Sequence, residues 1–283
     1  MNIVNTIPHF LNTHEKNQTF SITNLEEYYT KFPSIFKQYF PQHCPKTEER
    51  LSQAIANYPR DIESIESLSK ILPSIIKTMY QLFVNEYNCN PNLNFYLLVG
   101  GYGSNAFVER KIIGDIYFAA EKLSPNLDHL KVIVAHEIGH VYHNVLSNEK
   151  EMDWKTVDWE HGLISLYREG IATYFSQKMV KNLEKAVYFS YNDEGQEWLD
   201  YYLTHKDEVK KKFLEDVMND WTFEKEKEWF RLSGGSYFGY NRLGYYLGTD
   251  FVHHLIELVG EEKTVIYWCH RDIKTIINDW LQN

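Results

Sequence analysis

The sequence predicts a mainly helical α+β fold, with a small sheet ahead of a central helix and a helical lobe at each end. Apolar residues recur every three to four positions over long stretches, the period of a helix buried along one face. Two short runs rich in Phe, Tyr, Ile, Leu and Val, bounded by Gly, Asn and Ser, stand on either side of residue 105 and read as strands. No segment repeats at a fixed period, which argues against a solenoid.

Taken in order, residues 46–87 carry apolar residues at helical spacing, through Leu51, Ile55, Ile62, Ile65, Leu68, Ile71, Ile75, Ile76 and Leu82, with breaks expected near Pro59 and Pro73. This is the N-terminal helical lobe. Residues 94–99 (NFYLLV) end in Gly100-Gly101 and form the first expected strand; residues 111–119 (KIIGDIYFA) form the second. A helix follows over 127–146 with Asp128 near its start, then a polar loop over 147–158. A second apolar helix spans about 160–182. A charged surface helix is expected over 206–220, a glycine- and tyrosine-rich segment (SGGSYFGYNRLGYYLG) over 233–248, and a final helical pair after it. The expected organisation is a helical region over 1–92 and a second region over 93–283 that ends in a C-terminal helical lobe.

Composition narrows the class. With 43% hydrophobic and 24% charged residues in 283, the chain can bury a sizeable core. A formal net charge of -10 opposes a general role on nucleic acid, which needs a basic face for phosphate. The first residues lack the basic start and apolar run of a secretory signal, and no window approaches a membrane span, so a cytoplasmic protein is expected. Cys44, Cys89 and Cys269 are far apart and odd in number, the pattern of buried thiols and not of a disulfide framework or a CxxC site.

The chemistry concentrates at residues 136–140, HEIGH. His136 and His140 lie four positions apart, one turn on the same helix face, so both imidazoles can grip one cation. Glu137 is rotated about 100° from His136 and projects beside the metal, where a carboxylate can take a proton from an activated water. Twelve histidines make a chance HExxH a real competitor. Against that stands Glu169 in LISLYREGIATYF, among Ile164, Leu166, Ile171, Ala172 and Phe175. Two histidines and a glutamate are a standard catalytic zinc set, and Glu169 would complete it. Gly139 leaves room beside the metal for a strand or substrate, and Gly170 and Ala172 would permit close packing on the motif helix. Asp158 and Glu160 are weaker candidates that could orient a ligand histidine. His143 reads as a hydrogen-bonding neighbour or a surface histidine; His161, His253 and His254 read as structural, although His253 or His254 could reach the cleft from the last lobe. Leu146, where the metzincin pattern carries a third histidine, sets that class aside.

These residues resemble the gluzincin metallopeptidases, and within them the YjaZ-like zinc-dependent proteases, over roughly residues 94–260. The likeness rests on NFYLLVGGYGSNA, KIIGDIYFAAEKL, VIVAHEIGHVYH, LISLYREGIATYF and GYYLG. It implies a zincin-like metallopeptidase core with a small edge sheet, Zn2+ held by His136, His140 and Glu169, and Glu137 as general base. The small ImmA-like metallopeptidases share the HExGH helix and a later Glu but suit the C-terminal helices less well. No shared motif precedes residue 94. Directly after GYYLG, Thr249 stands where the family commonly has a second Tyr.

The expected reaction is hydrolysis of a peptide bond in a peptide or protein substrate, with a phenol stabilising the oxyanion: Tyr245 first, Tyr240 second. An edge strand near 117–120 would pair with an extended peptide. Two other classes fit the same residues: a zinc hydrolase of a non-peptide amide, and a non-catalytic protein in which HEIGH is fortuitous or vestigial. A retained Glu137 argues against a purely structural metal, which needs ligands and no base.

Overall fold

The structure, a computed structural model, describes residues 1–17 and 20–283. The chain forms two compact units, Met1–Glu137 and Ile138–Asn283. This division does not coincide with the expected boundary at 92/93.

In the first unit, strand β1 (Asn2–Asn5) leads into helix α1 (Ile7–Asn17), where the side-chain oxygen of Asn5 accepts from the Ile7 amide at 3.1 Å. Helix α2 (Ile22–Lys31) is capped by Ser21, whose hydroxyl oxygen accepts from the Asn24 amide at 3.2 Å. Helix α3 (Pro33–His43) opens on a proline, which has no N–H to leave unpaired. Helix α4 (Glu48–Tyr87) then runs for 40 residues, capped by Thr47, with Glu48 and Glu49 at its positive end.

Pro59 and Pro73 lie inside α4 and do not break it. The expected breaks are therefore corrected. An interior proline costs about 3 kcal/mol through one lost backbone bond and a clash with the preceding turn. Burying a large apolar side chain returns about 1.5–3 kcal/mol, and Tyr58, Ile65, Leu68, Leu72, Ile76 and Phe83 are all buried along this helix. Leu82, one of the apolar residues at helical spacing, is exposed, and the neighbouring Phe83 is buried.

The sheet has four strands where two were expected. Strands β2 (Asn94–Leu98), β3 (Ala106–Val108) and β4 (Ile116–Ala119) join β1 in the order β1-β2-β4-β3. Pairing is parallel for β1 with β2 and for β2 with β4, with Phe95 opposite Ile116, and antiparallel for β3 with β4, with Phe107 opposite Tyr117. Strand β4 thus lies inside the sheet, and its four residues are buried, as a central strand requires. The expectation of an edge near 117–120 is corrected: β3 is the edge on that side.

The loop after β2 is clamped by its own unit. The Tyr39 hydroxyl accepts from the amides of Gly101 and Gly103 at 3.1 and 3.0 Å, and Arg50 Nε donates to the Gly101 carbonyl at 2.7 Å. Glu121, in the turn that follows β4, accepts from the Tyr102 amide at 3.2 Å.

Helix α5 (Leu127–Glu149) is one continuous helix through the division between the units. Leu130, Val132, Ile133, Val134 and Ala135 are all buried, so this helix is apolar around its circumference ahead of the motif. The second unit continues with α6 (Gly162–Met179), α7 (Val187–Ser190), α8 (Gln196–Thr204), α9 (Lys206–Met218), α10 (Phe223–Phe230), α11 (Leu243–Val259), α12 (Glu261–Val265) and α13 (Ile273–Gln282). The expected polar loop after α5 carries a short 3-10 turn, Trp154–Thr156. Helix α9, expected as a charged surface helix, buries Asp216, which accepts from Trp229 Nε1 at 2.8 Å.

None of the three cysteines forms a disulfide; Cys44 is buried and the other two half-buried. Among the described residues no helix is long and apolar enough to cross a membrane.

Candidate metal centre

His136 and His140 project from successive turns of α5, and His136 is buried. The residue between them that matters for packing is Gly139. A Cβ there would stand 3.1 Å from Phe175 Cβ and 3.3 Å from Ala172 Cα, so α6 lies directly against this turn. The space expected beside the metal for a strand or substrate is filled by Phe175 and Ala172. Gly170 packs on another helix, α11, and not on the motif helix as expected: its Cβ would meet the Gly248 carbonyl oxygen at 2.3 Å.

The approach of α6 brings Glu169 to the histidines. His140 Nε2 and Glu169 Oε2 are 3.4 Å apart, and one donor atom from each of His136, His140 and Glu169 lies within 4.8 Å of the others. Two donors on one tetrahedral zinc, bonded at about 2.0–2.1 Å, stand roughly 3.3–3.4 Å from each other. A direct N–H···O bond prefers about 2.7–3.2 Å. The separation therefore suits a shared cation better than a direct hydrogen bond, and the nitrogen and oxygen donors suit zinc. Glu137, one position after His136, is buried with it.

Other expected residues take different places. His143 is buried, stacked on Trp268 with ring centres 4.3 Å apart and edge-on to Tyr167. The surface alternative for it is corrected. Burial, then the nearby Arg168, pushes its pKa well below the usual imidazole value. Asp158 and Glu160 are exposed, and Asp158 pairs with Lys274 at 3.6 Å. His161 caps α6 by accepting from the Leu163 amide at 3.1 Å. His253 contacts Gln177 at 3.1 Å, and His254 lies by Trp280.

The two candidate tyrosines differ in setting. Tyr245 is buried in the first turn of α11, its ring 4.4 Å from the Arg242 guanidinium carbon and edge-on to Phe230. Tyr240 is half-buried in the preceding loop and stacks on Tyr201 at 4.6 Å. Thr249 is buried, and its hydroxyl donates to the Tyr245 carbonyl at 2.7 Å.

Two charged groups near Glu169 escaped sequence reasoning. Glu226 of α10 accepts from Ser165 Oγ at 2.9 Å and Trp221 Nε1 at 3.1 Å; burial and the Glu169 carboxylate raise its pKa, while those two donors oppose the rise. Arg242, just ahead of α11, is buried, and Glu169 is among the charges acting on it. No pattern in the sequence marks either residue, because what counts is the packing of α10 and α11.

Two imidazoles and a carboxylate with ligand atoms within 4.8 Å on adjoining helices could hold a metal ion, and this donor set is one that zinc hydrolases use. A family model described as "Putative zinc dependent peptidase (DUF5700)" matches residues 8–250, and the chain belongs to that family. The match accords with the resemblance to YjaZ-like zinc-dependent proteases, makes Zn2+ the metal, and takes in most of the segment before residue 94 that carries no motif of its own. No curated protein and no solved structure matches the chain.

Proposed function

We propose that this protein is a peptidase of gluzincin type with a zincin-like core, in which His136, His140 and Glu169 hold zinc and Glu137 is the general base. The observation that carries the reading is the 3.4 Å separation of His140 Nε2 and Glu169 Oε2, with His136 completing the trio within 4.8 Å. When bound, zinc supplies Lewis acidity, lowering the pKa of a coordinated water towards about 7 and polarising a carbonyl. Glu137 takes the proton from the attacking water. It delivers that proton to the amine nitrogen as the C–N bond breaks, so one buried carboxylate serves both halves of the reaction. The Tyr245 hydroxyl donates to the carbonyl oxygen as negative charge builds on it; Tyr240 is the second candidate. Strand β3 is an edge of the sheet, where an extended peptide can add as a further strand.

Metal content by mass spectrometry on the wild type and Glu169→Ala, followed by cleavage of casein and a peptide library with Glu137→Gln as control, tests the proposal. One zinc per wild-type chain, lost in Glu169→Ala, with cleavage abolished in Glu137→Gln, is the expected result. A wild type without stoichiometric zinc overturns it. Zinc without peptide cleavage transfers the site to another amide.

A further inference from the structure

Arg242 is a buried cation with no carboxylate in a direct ion pair among the described residues. It is 5% exposed and holds a left-handed backbone conformation (φ 59) where the chain enters α11. Burying a charge is costly unless something compensates it, so its surroundings must explain it. Nη1 donates to the Phe189 carbonyl at 2.7 Å, and the guanidinium carbon lies 4.4 Å from the Tyr245 ring centre and 4.5 Å from that of Tyr191. Its Nε is buried without a hydrogen-bond partner. A purely structural arginine would be expected to spend all its donors.

Burial pulls the guanidinium pKa down, but Tyr245, Tyr191 and the Glu169 carboxylate more than offset this, and the group stays charged. Two aromatic faces and one carbonyl thus keep a fixed positive charge against the phenol of Tyr245. A planar guanidinium suits that seat as an ammonium would not, because it stacks flat on a ring while its N–H groups point outward in plane.

We propose that Arg242 is a positioning residue for peptide hydrolysis: clamped between Tyr191 and Tyr245, it fixes the Tyr245 phenol and polarises its hydroxyl towards the carbonyl oxygen of the substrate. This rests on the peptidase reading above. A donor aimed in advance at developing charge loses no free energy to reorientation during reaction, and a nearby fixed cation strengthens the donor further. Arg242 acts through Tyr245 and touches no reacting atom. Its removal therefore changes kcat and leaves KM nearly constant.

The test is a double-mutant cycle on the zinc-loaded full chain, with the peptide cleaved by the wild type: Arg242→Met, Tyr245→Phe and both together. Tyr245→Phe is expected to lower kcat by roughly 100-fold to 1,000-fold, the usual loss for one such donor. Arg242→Met is expected to lower kcat about 10-fold or more with unchanged zinc content. In the Tyr245→Phe background the same change should cost less than about threefold, because its route is already gone. Arg242→Lys should recover only part of the loss.

A readout independent of turnover is the 19F resonance of 3-fluorotyrosine placed at position 245 in the zinc-free chain, expected to shift and broaden in Arg242→Met. Should Arg242→Met fail to fold, the cycle and the 19F spectrum are run with Arg242→Lys. Equal losses in both backgrounds, or an unmoved 19F signal, overturn the role of Arg242 while leaving the peptidase reading intact. A wild type that cleaves no peptide overturns the peptidase reading and this proposal with it.

Discussion

Gly170 and Gly248 meet backbone to backbone where α6 crosses α11. A Cβ on Gly170 would stand 2.3 Å from the Gly248 carbonyl oxygen, and one on Gly248 would stand 2.4 Å from the Leu166 carbonyl oxygen. Because Glu169 precedes Gly170 and Tyr245 lies one turn before Gly248, this crossing sets the helix of the carboxylate against the helix of the phenol.

Alanine at Gly170 would push backbone against backbone, which cannot turn aside as a side-chain tip can. Overpacking of this kind costs about 1–3 kcal/mol, beyond the roughly 1 kcal/mol that alanine gains in helix propensity. At Gly139 the nearest atom is Phe175 Cβ at 3.1 Å, so a shift of a few tenths of an ångström suffices. Denaturant unfolding should show Gly170→Ala clearly destabilised and Gly139→Ala near neutral. Equal effects would mean the crossing of α6 and α11 is looser than described.

The sequence ranks Tyr245 ahead of Tyr240, and their packing separates them further. Tyr245 is buried beside Arg242, whereas Tyr240 stacks on Tyr201 in a half-buried loop. Tyr245→Phe is expected to lower kcat by roughly 100-fold or more at constant zinc content, and Tyr240→Phe by less than about threefold. Steady-state kinetics on the two variants checks this, and the reverse ranking would move the oxyanion role to Tyr240.

Metal removal should destabilise the fold measurably, since the trio joins two helices and the unfolded chain has no preformed site. A metal present at about 1,000 times its Kd stabilises by about 4 kcal/mol. For a chain of this size that corresponds to a Tm change on the order of 10 °C. Calorimetry with and without a chelator is expected to show such a drop, reversed by zinc. In Glu169→Ala the chelator should have little effect; a full drop there would show that Glu169 is not a ligand.

Local sequence disclosed the motif helix and the Glu169 helix because both are long and strongly apolar. Strand β1 stayed hidden. Its four residues carry little pattern, and its partner β2 lies some ninety positions later, so the pairing exists only once the chain has folded. Continuity of α4 through Pro59 and Pro73 was hidden for a related reason: the burial that offsets each proline comes from tertiary contact. The shared face of His136 and His140 followed from helix periodicity, and Glu169 was a candidate by residue type and setting, but its distance to the histidines depends on the packing of α6 on α5. Arg242 carried no such signal, because the features that mark it are its burial and the two rings around it.

Glu121 gives the first unit a pH dependence that can be worked out in sign. Burial, opposed by hydrogen bonds from backbone amides and from the Tyr39 hydroxyl, pushes its pKa up from 4.5 to about 7. In the unfolded chain the carboxyl ionises near its ordinary value. Below about pH 4.5 both states hold the proton, and the folded state keeps the neutral form it favours. Between about 4.5 and 7 the unfolded state sheds the proton and the folded state retains it, so stability falls as pH rises; above 7 the difference is constant. A shift of this size is worth about 3 kcal/mol as an order of magnitude. Glu121→Gln keeps the shape and removes the titration. Unfolding by urea at pH 5 and pH 7.5 is therefore expected to show the wild type losing up to about 3 kcal/mol more than Glu121→Gln across that interval. The loop at Gly101–Gly103 should report it locally, since the Tyr102 amide and Tyr39 hydroxyl both bond to the Glu121 carboxyl. Parallel pH profiles for the two proteins would show that Glu121 ionises normally in the fold.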